Sequence, residues 1–524
     1  MVKWLAAKFP GYTVRAQVVV KAASARCKEV LQFFHDKGNF ALDEAVRAAG
    51  AGLCVEWTGK FLRAAVASRR NDIVWWAHTH FRDFNNRRGA LEAAVKNGDI
   101  PMAEWLIQHG YEWSEGRDAM DGAAGRGHLD VVKWLHAYRS EGCTVAAMDN
   151  AASNGHLEVV QWLHSNRSEG CTTRAMDGAA AHGHLVVMKW LHENTTAGCT
   201  TQAMDDAASN GHLDVVKWLH SNRSEGCTLD MFDADAVSID TMFAAARNGH
   251  LDVVKWLYSE FSVKLGMEMF WMYEEEDDKY FSVLDAAAVG GHLDVVKYLH
   301  EICQEAAENS WAEKPTRPGC TTAAMDGAAA NGHMEVVQWL HQNRNEGCTM
   351  DAMNAAAANG HLDMVKWLLE HTKVGCTMKA MDGAARGGHL EVVKWRHEHT
   401  DGGCTSKAMD GAARSGALDV MKWLQTNRSE GCSKASVAKA AQHGHVRVLR
   451  WLHEKYPDKW SAAAMDNAAM GGHFEAVLLL HPVRSEGCSP GPARMKSPSR
   501  DIGRWLLEHY PTRVSDDVWK MLTS

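Results

Sequence analysis

A unit of 28 residues recurs along this chain with little change, reading T-x-x-A-M-D-x-A-A-x-x-G-H-L-D-V-V-K-W-L-H and closed by Gly-Cys. Its glycine-histidine step falls at His128, His156, His184 and His212, then at His333, His361 and His389, with Ala417 in place of the histidine once, and at His445 and His473. A fixed period in the range of roughly 20 to 50 residues marks a chain whose units cannot bury their apolar faces alone and must stack on one another. The architecture expected is therefore a solenoid, which escapes the ~250–300-residue ceiling on a single hydrophobic core and accommodates all 524 residues.

Two further copies, at His250 and His292, interrupt the period: the steps from 212 to 250, 292 and 333 are 38, 42 and 41 residues. Insertions thus cluster in the middle. Weaker copies flank the array at Val30–Phe34, Ile73–Trp76, Met102–Leu106 and Ile502–Leu507, with a degenerate one ending at Trp57, as expected of end units that present one face to water. The expected organisation is a degenerate cap over 1–115, regular repeats over 116–228, repeats with insertions over 229–320, regular repeats over 321–488, and a degenerate cap over 489–524.

Within the copy Thr144–Cys171, Thr144 is placed to cap a first helix rich in small residues, Ala147, Met148, Ala151 and Ala152. Gly155 can end it in the left-handed conformation without steric cost. Leu157, Val159, Val160, Trp162 and Leu163 then share one face of a second helix, since they stand 1, 3, 4, 6 and 7 residues past His156. The unit reads as helix, tight turn, helix, loop.

The run Ala147-Met148-Asp149-x-Ala151-Ala152-x-x-Gly155-His156-Leu157-Glu158-Val159-Val160 resembles the ankyrin repeat, in its alanine pair, glycine-histidine step and valine pair. The unit is about five residues shorter than that family's 33, and its T-P-L-H opening is replaced by alanine, methionine and aspartate. The resemblance implies an all-α, ankyrin-like solenoid poor in projecting β-hairpins, acting as a protein-binding scaffold or adaptor, with no catalytic residues and no cofactor carried over.

Several residue types invite other chemistry. His156 and His164 stand eight residues apart on one helix, about 12 Å of rise and about 80° of rotation, so they cannot share a metal ion. Equivalent histidines in successive units lie about a helix-packing distance apart, several times a metal–ligand bond. The first histidine is expected to hydrogen-bond the turn and the second to end its helix near the negative pole. Ten of the thirteen cysteines recur at one place in the unit, from Cys143 to Cys488. A nucleophile is singular and has a dedicated base, so ten equivalent thiols indicate packing and a non-enzymatic chain. Asp121, Asp149, Asp177, Asp205, Asp326, Asp382, Asp410 and Asp466 form either an acidic ladder for a basic partner or hydrogen bonds to neighbouring turns, and their phase with the core favours the second. The recurring tryptophans, from Trp134 to Trp451, are expected to pack between repeats.

The least repetitive segment is the candidate contact site: Met267–Tyr273, containing Phe270, Trp271 and Tyr273, runs into Glu274, Glu275, Glu276, Asp277 and Asp278. Aromatic and methionine side chains are enriched at interfaces, and flanking acids steer a basic partner. The competing expectation is that this run lengthens the second helix and packs on the next unit. Trp311, on the next insertion, can share the same surface. The loops Arg167-Ser168-Glu169, Arg223-Ser224-Glu225 and Arg428-Ser429-Glu430 are taken as exposed, and offer nothing to tell one partner from another.

A net charge of −9 without a basic stripe argues against nucleic acid as partner, and no run approaches the ~18 apolar residues of a membrane span. No secretory leader is recognisable, so an intracellular, cytoplasmic or nuclear, monomeric protein is expected. A structural or self-associating spacer is the alternative, and a substrate-recruiting adaptor would have to hide its extra module in residues 1–60. Because the histidine spacing disallows chelation, EDTA should leave the melting temperature unchanged; a fall of several degrees, with zinc found by elemental analysis, would contradict this.

Overall fold

The computed structural model describes residues 13–14, 16–25, 27–40, 53–55, 60–80, 89–113, 118–138, 142–225, 240–265, 270–274, 279–309, 319–483, 502, 505–506 and 509–510. The chain divides into two compact units, Met1–Val237 and Ser238–Ser524. Both are built of helix pairs, and no described helix is long and apolar enough to cross a membrane.

In the first unit the regular pairs are Asp118–Ala124 with Leu129–Tyr138, Val145–Ser153 with Leu157–Asn166, Thr173–Ala181 with Leu185–Asn194, and Thr201–Ser209 with Leu213–Asn222. They are preceded by pairs whose second helices, Lys28–Lys37, Asn71–His80 and Ile100–Gln108, contain the three weaker copies read from the sequence. A small parallel sheet also lies here, with Leu53–Val55 between Thr13–Val14 and Gly38–Phe40. These strands lie outside the repeat period; Trp57 is outside the described residues.

The second unit begins with Asp240–Arg247 and Leu251–Leu265 and continues through Val283–Gly290 and Leu293–Asn309. Five regular pairs follow, from Thr322–Ala330 with Met334–Asn343 to Lys434–Gln442 with Val446–Lys455, before the final pair Ala463–Met470 and Phe474–Val483. The central insertions lengthen second helices to 15 and 17 residues, against 10 in regular copies.

The residue pattern explains the pair. Thr144 is in extended conformation and its hydroxyl accepts the Ala146 N–H, which caps the first helix. Ala147, Met148, Ala151 and Ala152 are each 2% exposed or less, as are Val159, Val160 and Leu163 of the second helix. First helices stack directly on first helices of adjacent copies, close enough that a Cβ on helical Gly178 would stand 2.7 Å from the Ser153 Cβ. Small residues at this contact are thus a steric requirement. Gly155, at φ 78°, closes the first helix. A side chain there is barred twice over, since a Cβ would meet the His184 ring of the next copy at 2.7 Å.

Because every copy offers the same two faces, deleting Thr144–Cys171 should yield a soluble protein of unchanged fractional helicity, with Asp121 meeting Thr172 in place of Thr144. Deleting only half that length should cause aggregation. Equal damage from the two deletions, read by circular dichroism and size-exclusion chromatography, would contradict a stack of equivalent units.

Candidate protein-binding surface

Most of the polar residues that recur are engaged by the neighbouring copy. Asp149, 7% exposed, accepts both the Thr172 backbone N–H at 2.8 Å and the Thr172 hydroxyl at 2.7 Å. The same two-pronged bond joins Asp121 to Thr144, Asp177 to Thr200, Asp326 to Thr349 and Asp382 to Thr405, always across 23 residues. Ser433 substitutes for threonine opposite Asp410. Asp285, missed in the sequence because the insertions break the period, makes the bond to Thr321 across 36 residues. These aspartates therefore hold in place the threonine or serine that caps the next unit's first helix, the hydrogen-bonding alternative of the two read from the sequence. Burial holds the carboxyls of Asp121, Asp177, Asp285 and Asp326 above their ordinary range, opposed by the threonine bonds.

The histidines also look outward from their own copy. The ring of His184 covers Gly155, and His445 Nε2 lies 2.9 Å from the Arg414 carbonyl oxygen in the preceding turn. The expected bond to a turn is thus made across copies. His164, at a helix end, meets the edge of Trp190 of the next copy at 5.2 Å between ring centroids and 86°. Similar pairs join His136 to Trp162, His341 to Trp367 and His397 to Trp423, so these tryptophans do pack between repeats.

The Arg-Ser-Glu loops, read from sequence as exposed surface, require a correction. The Arg167 and Glu169 side chains are only 21% and 16% exposed. Arg167 donates to Glu169 through Nε and Nη2, its Nη1 approaches His136 Nδ1 at 3.4 Å, and Glu169 accepts the Cys143 N–H at 3.4 Å. The pair is a clamp on the preceding copy, repeated at Arg223–Glu225, Arg344–Glu346 and Arg428–Glu430. The thiols beneath are poor nucleophiles: burial pushes Cys143, Cys199 and Cys404 up to about 11 and Cys320 to about 12. Among the described residues no group of three or more His, Cys, Asp or Glu side chains is placed to hold a metal ion.

The central insertion is built differently. After the lengthened helix Leu251–Leu265, strands Trp271–Glu274 and Lys279–Ser282 pair antiparallel, with Trp271 opposite Ser282, Tyr273 opposite Tyr280 and Glu274 opposite Lys279. The second helix is longer than a regular one but ends at Leu265, before the aromatic run, and Trp271–Glu274 form a strand of a two-stranded hairpin where the sequence suggested a continued helix. Phe270 is 4% exposed and its ring lies 5.7 Å from that of Tyr258, so it anchors the base of the hairpin. Phe281, on the return strand, stacks on Phe243 at 6.1 Å. Trp271 is half-buried. The backbone places Tyr273 and Glu274 on the outgoing strand. Glu275, Glu276, Asp277, Asp278 and Trp311 lie outside the described residues. Ser282 then caps the next helix through a reciprocal bond with Asp285, which fixes the point where the hairpin rejoins the stack.

Comparison with known proteins gives three results. A family model described as "Ankyrin repeats (many copies)" matches residues 91–136, 120–164, 320–369 and 437–481, and one described as "Ankyrin repeats (3 copies)" matches 148–233 and 206–310. Among solved structures, the crystal structure of human ASB11 ankyrin repeat domain is similar at 20% identity, covering 38% of this chain and 90% of that one with a TM-score of 0.28. No curated protein matches the chain.

The clamp has a pH signature. Its bond to Arg167 lowers the Glu169 carboxyl from 4.5 to about 2. A carboxylate with a depressed folded-state pKa stabilises the fold above its unfolded value and loses that contribution as pH falls toward the folded one. Glu169→Gln should therefore melt below the wild-type protein at pH 4.5 and above, with the gap closing between 4.5 and about 2. A gap independent of pH would show that the carboxylate's charge is not what matters.

Proposed function

Because the chain belongs to the ankyrin-repeat family, whose repeats are protein–protein interaction modules, we propose that it is a non-enzymatic scaffold or adaptor that selects its protein partner through the central insertion. One observation carries this reading: the regular copies commit their aspartates, histidines, tryptophans and Arg–Glu pairs to one another, whereas the hairpin of residues 271–282 has no counterpart in any regular described copy. What remains on the regular units is nearly the same from copy to copy. Selectivity needs unlike residues.

The proposed contact is centred on Trp271 and Tyr273, with Glu274, Glu275, Glu276, Asp277 and Asp278 as an acidic rim and Trp311 from the following insertion beside it. The chemistry suits a partner segment that offers an apolar or cationic side chain to the aromatic pair and basic residues to the rim. The chain acts as a monomer in this reading; scattering that rises with concentration would instead favour a self-associating spacer.

Capture with the intact array should first identify the partner. Trp271→Ala together with Tyr273→Ala should then weaken binding by at least ~2 kcal/mol in calorimetry while helix content is retained, the loss typical of aromatic anchors at the centre of an interface. If the double variant melts early and keeps its partner at full affinity, the pair belongs to the core, and the contact lies on the regular units.

A further inference from the structure

At one position the repeat exchanges a core leucine for a charge. Leu163, Leu368 and Leu424 are buried at equivalent places in their second helices, but Trp395-Arg396-His397 puts an arginine there, and Arg396 is 0% exposed. A buried guanidinium without a carboxylate is costly and needs explanation. Arg396 Nη1 donates to the Thr377 carbonyl at 3.1 Å, while Nε and Nη2 have no hydrogen-bond partner.

The loop that follows accounts for the room it occupies. Residues 400–402 read Thr-Asp-Gly where Arg167-Ser168-Glu169 stand in their own copy, so both partners of the clamp are missing. Thr400 bonds back to the Arg396 carbonyl at 2.7 Å. A Cβ on Gly402 would lie 2.7 Å from Arg396 Nη2 and 3.6 Å from the Cys376 sulfur, so both groups border the space left by the absent glutamate, and the guanidinium interacts with Cys376. In the regular clamp the charge of Arg167 is neutralised by Glu169. Here the nearest carboxylate that acts on Arg396 is Asp382, whose two oxygens are taken by Thr405, and the other thiol within reach is Cys404. The Cys376 sulfur borders the space that the glutamate fills in the other clamps.

We propose that Cys376 is the activated thiol of this protein, a site of oxidation by hydroperoxides made reactive by the buried guanidinium of Arg396, which lacks the paired glutamate of the other clamps. Cys376 is half-buried, and Gly375 beside it is exposed, so a small peroxide can reach the sulfur. The thiolate sulfur attacks one peroxide oxygen; the S–O bond forms as the O–O bond breaks. The sulfur is oxidised to the sulfenic acid, and the peroxide is reduced to hydroxide, or to alkoxide from an organic hydroperoxide, which takes up the proton released by the thiol. The thiolate is the reacting form.

Cys348 is the internal control: it holds the same place one unit earlier, is also half-buried, and faces Thr372 with a leucine, Leu368, at the core position. In the intact native protein, iodoacetamide at neutral pH followed by peptide-resolved mass spectrometry should alkylate Cys376 at least ~10-fold faster than Cys348. Hydrogen peroxide with dimedone should trap the sulfenic acid at Cys376 first. Arg396→Leu restores the residue of the other units and should fold, and it should bring Cys376 to the Cys348 rate without changing Cys348. Arg396→Gln removes the charge but keeps polar length, and should give the same fall. Equal rates at the two thiols in the native protein, a fast Cys376 in either folded variant, or rapid alkylation without a dimedone adduct would each overturn the proposal.

Discussion

The structure depends on a carboxylate handed from one unit to the next. A first helix of nine residues is too short to hold together alone in water, and its leading N–H groups need acceptors. Thr172 supplies one acceptor from its own side chain, while Asp149 of the preceding copy holds both the backbone and the hydroxyl of that threonine in place. A threonine cap is typically worth about 1 kcal/mol; here its orientation is fixed by a charged, largely buried partner, so forming one helix and docking it on the last are the same event. Natural variation respects the arrangement: where Asn354 replaces the aspartate, its side-chain oxygen still accepts the Thr377 hydroxyl at 2.9 Å.

The remaining contacts between copies share that logic. Rings of His184 and Trp190 and the Arg167–Glu169 clamp all reach a neighbouring copy. This explains how so polar a repeat can stack: its charged and aromatic residues are satisfied at the seams, while alanine, valine and leucine fill the interior. It also leaves the regular units with little that is individual. Individuality appears where the period breaks, at the hairpin 271–282, and where a seam residue changes type, at Arg396.

The clamp shows how two solutions coexist. Where arginine and glutamate are present they close over the thiol of the preceding unit; where they are absent, Thr195, Thr372 and Thr400 each turn a hydroxyl back on their own helix carbonyl. Leu191 and Leu368 fill the core beside the first two of these threonines, and only beside Thr400 does an arginine enter. The electrostatics of one thiol thereby differ from those of its equivalents, although backbone and period are unchanged.

The sequence by itself determined the period, the helix pair, the threonine cap, the glycine turn and the apolar faces, because each is set by spacing within one unit or by the conformational limits of one residue. Tertiary structure decided the rest, for the same physical reason in every case: the partner belongs to another copy. Nothing in the spacing of Asp149 and Thr172, 23 residues apart, identifies them as a pair before the units are stacked. Arg167-Ser168-Glu169 has the composition of a solvated loop, and only the proximity of Cys143 and His136 makes it a clamp. Phe270 and Trp271 are adjacent aromatics in sequence, yet the base of the hairpin buries the first and leaves the second half-open. Arg396 could be seen as an exception to the leucine pattern, but that its guanidinium enters the space of a missing glutamate beside Cys376 follows only from the packing of one unit against the next.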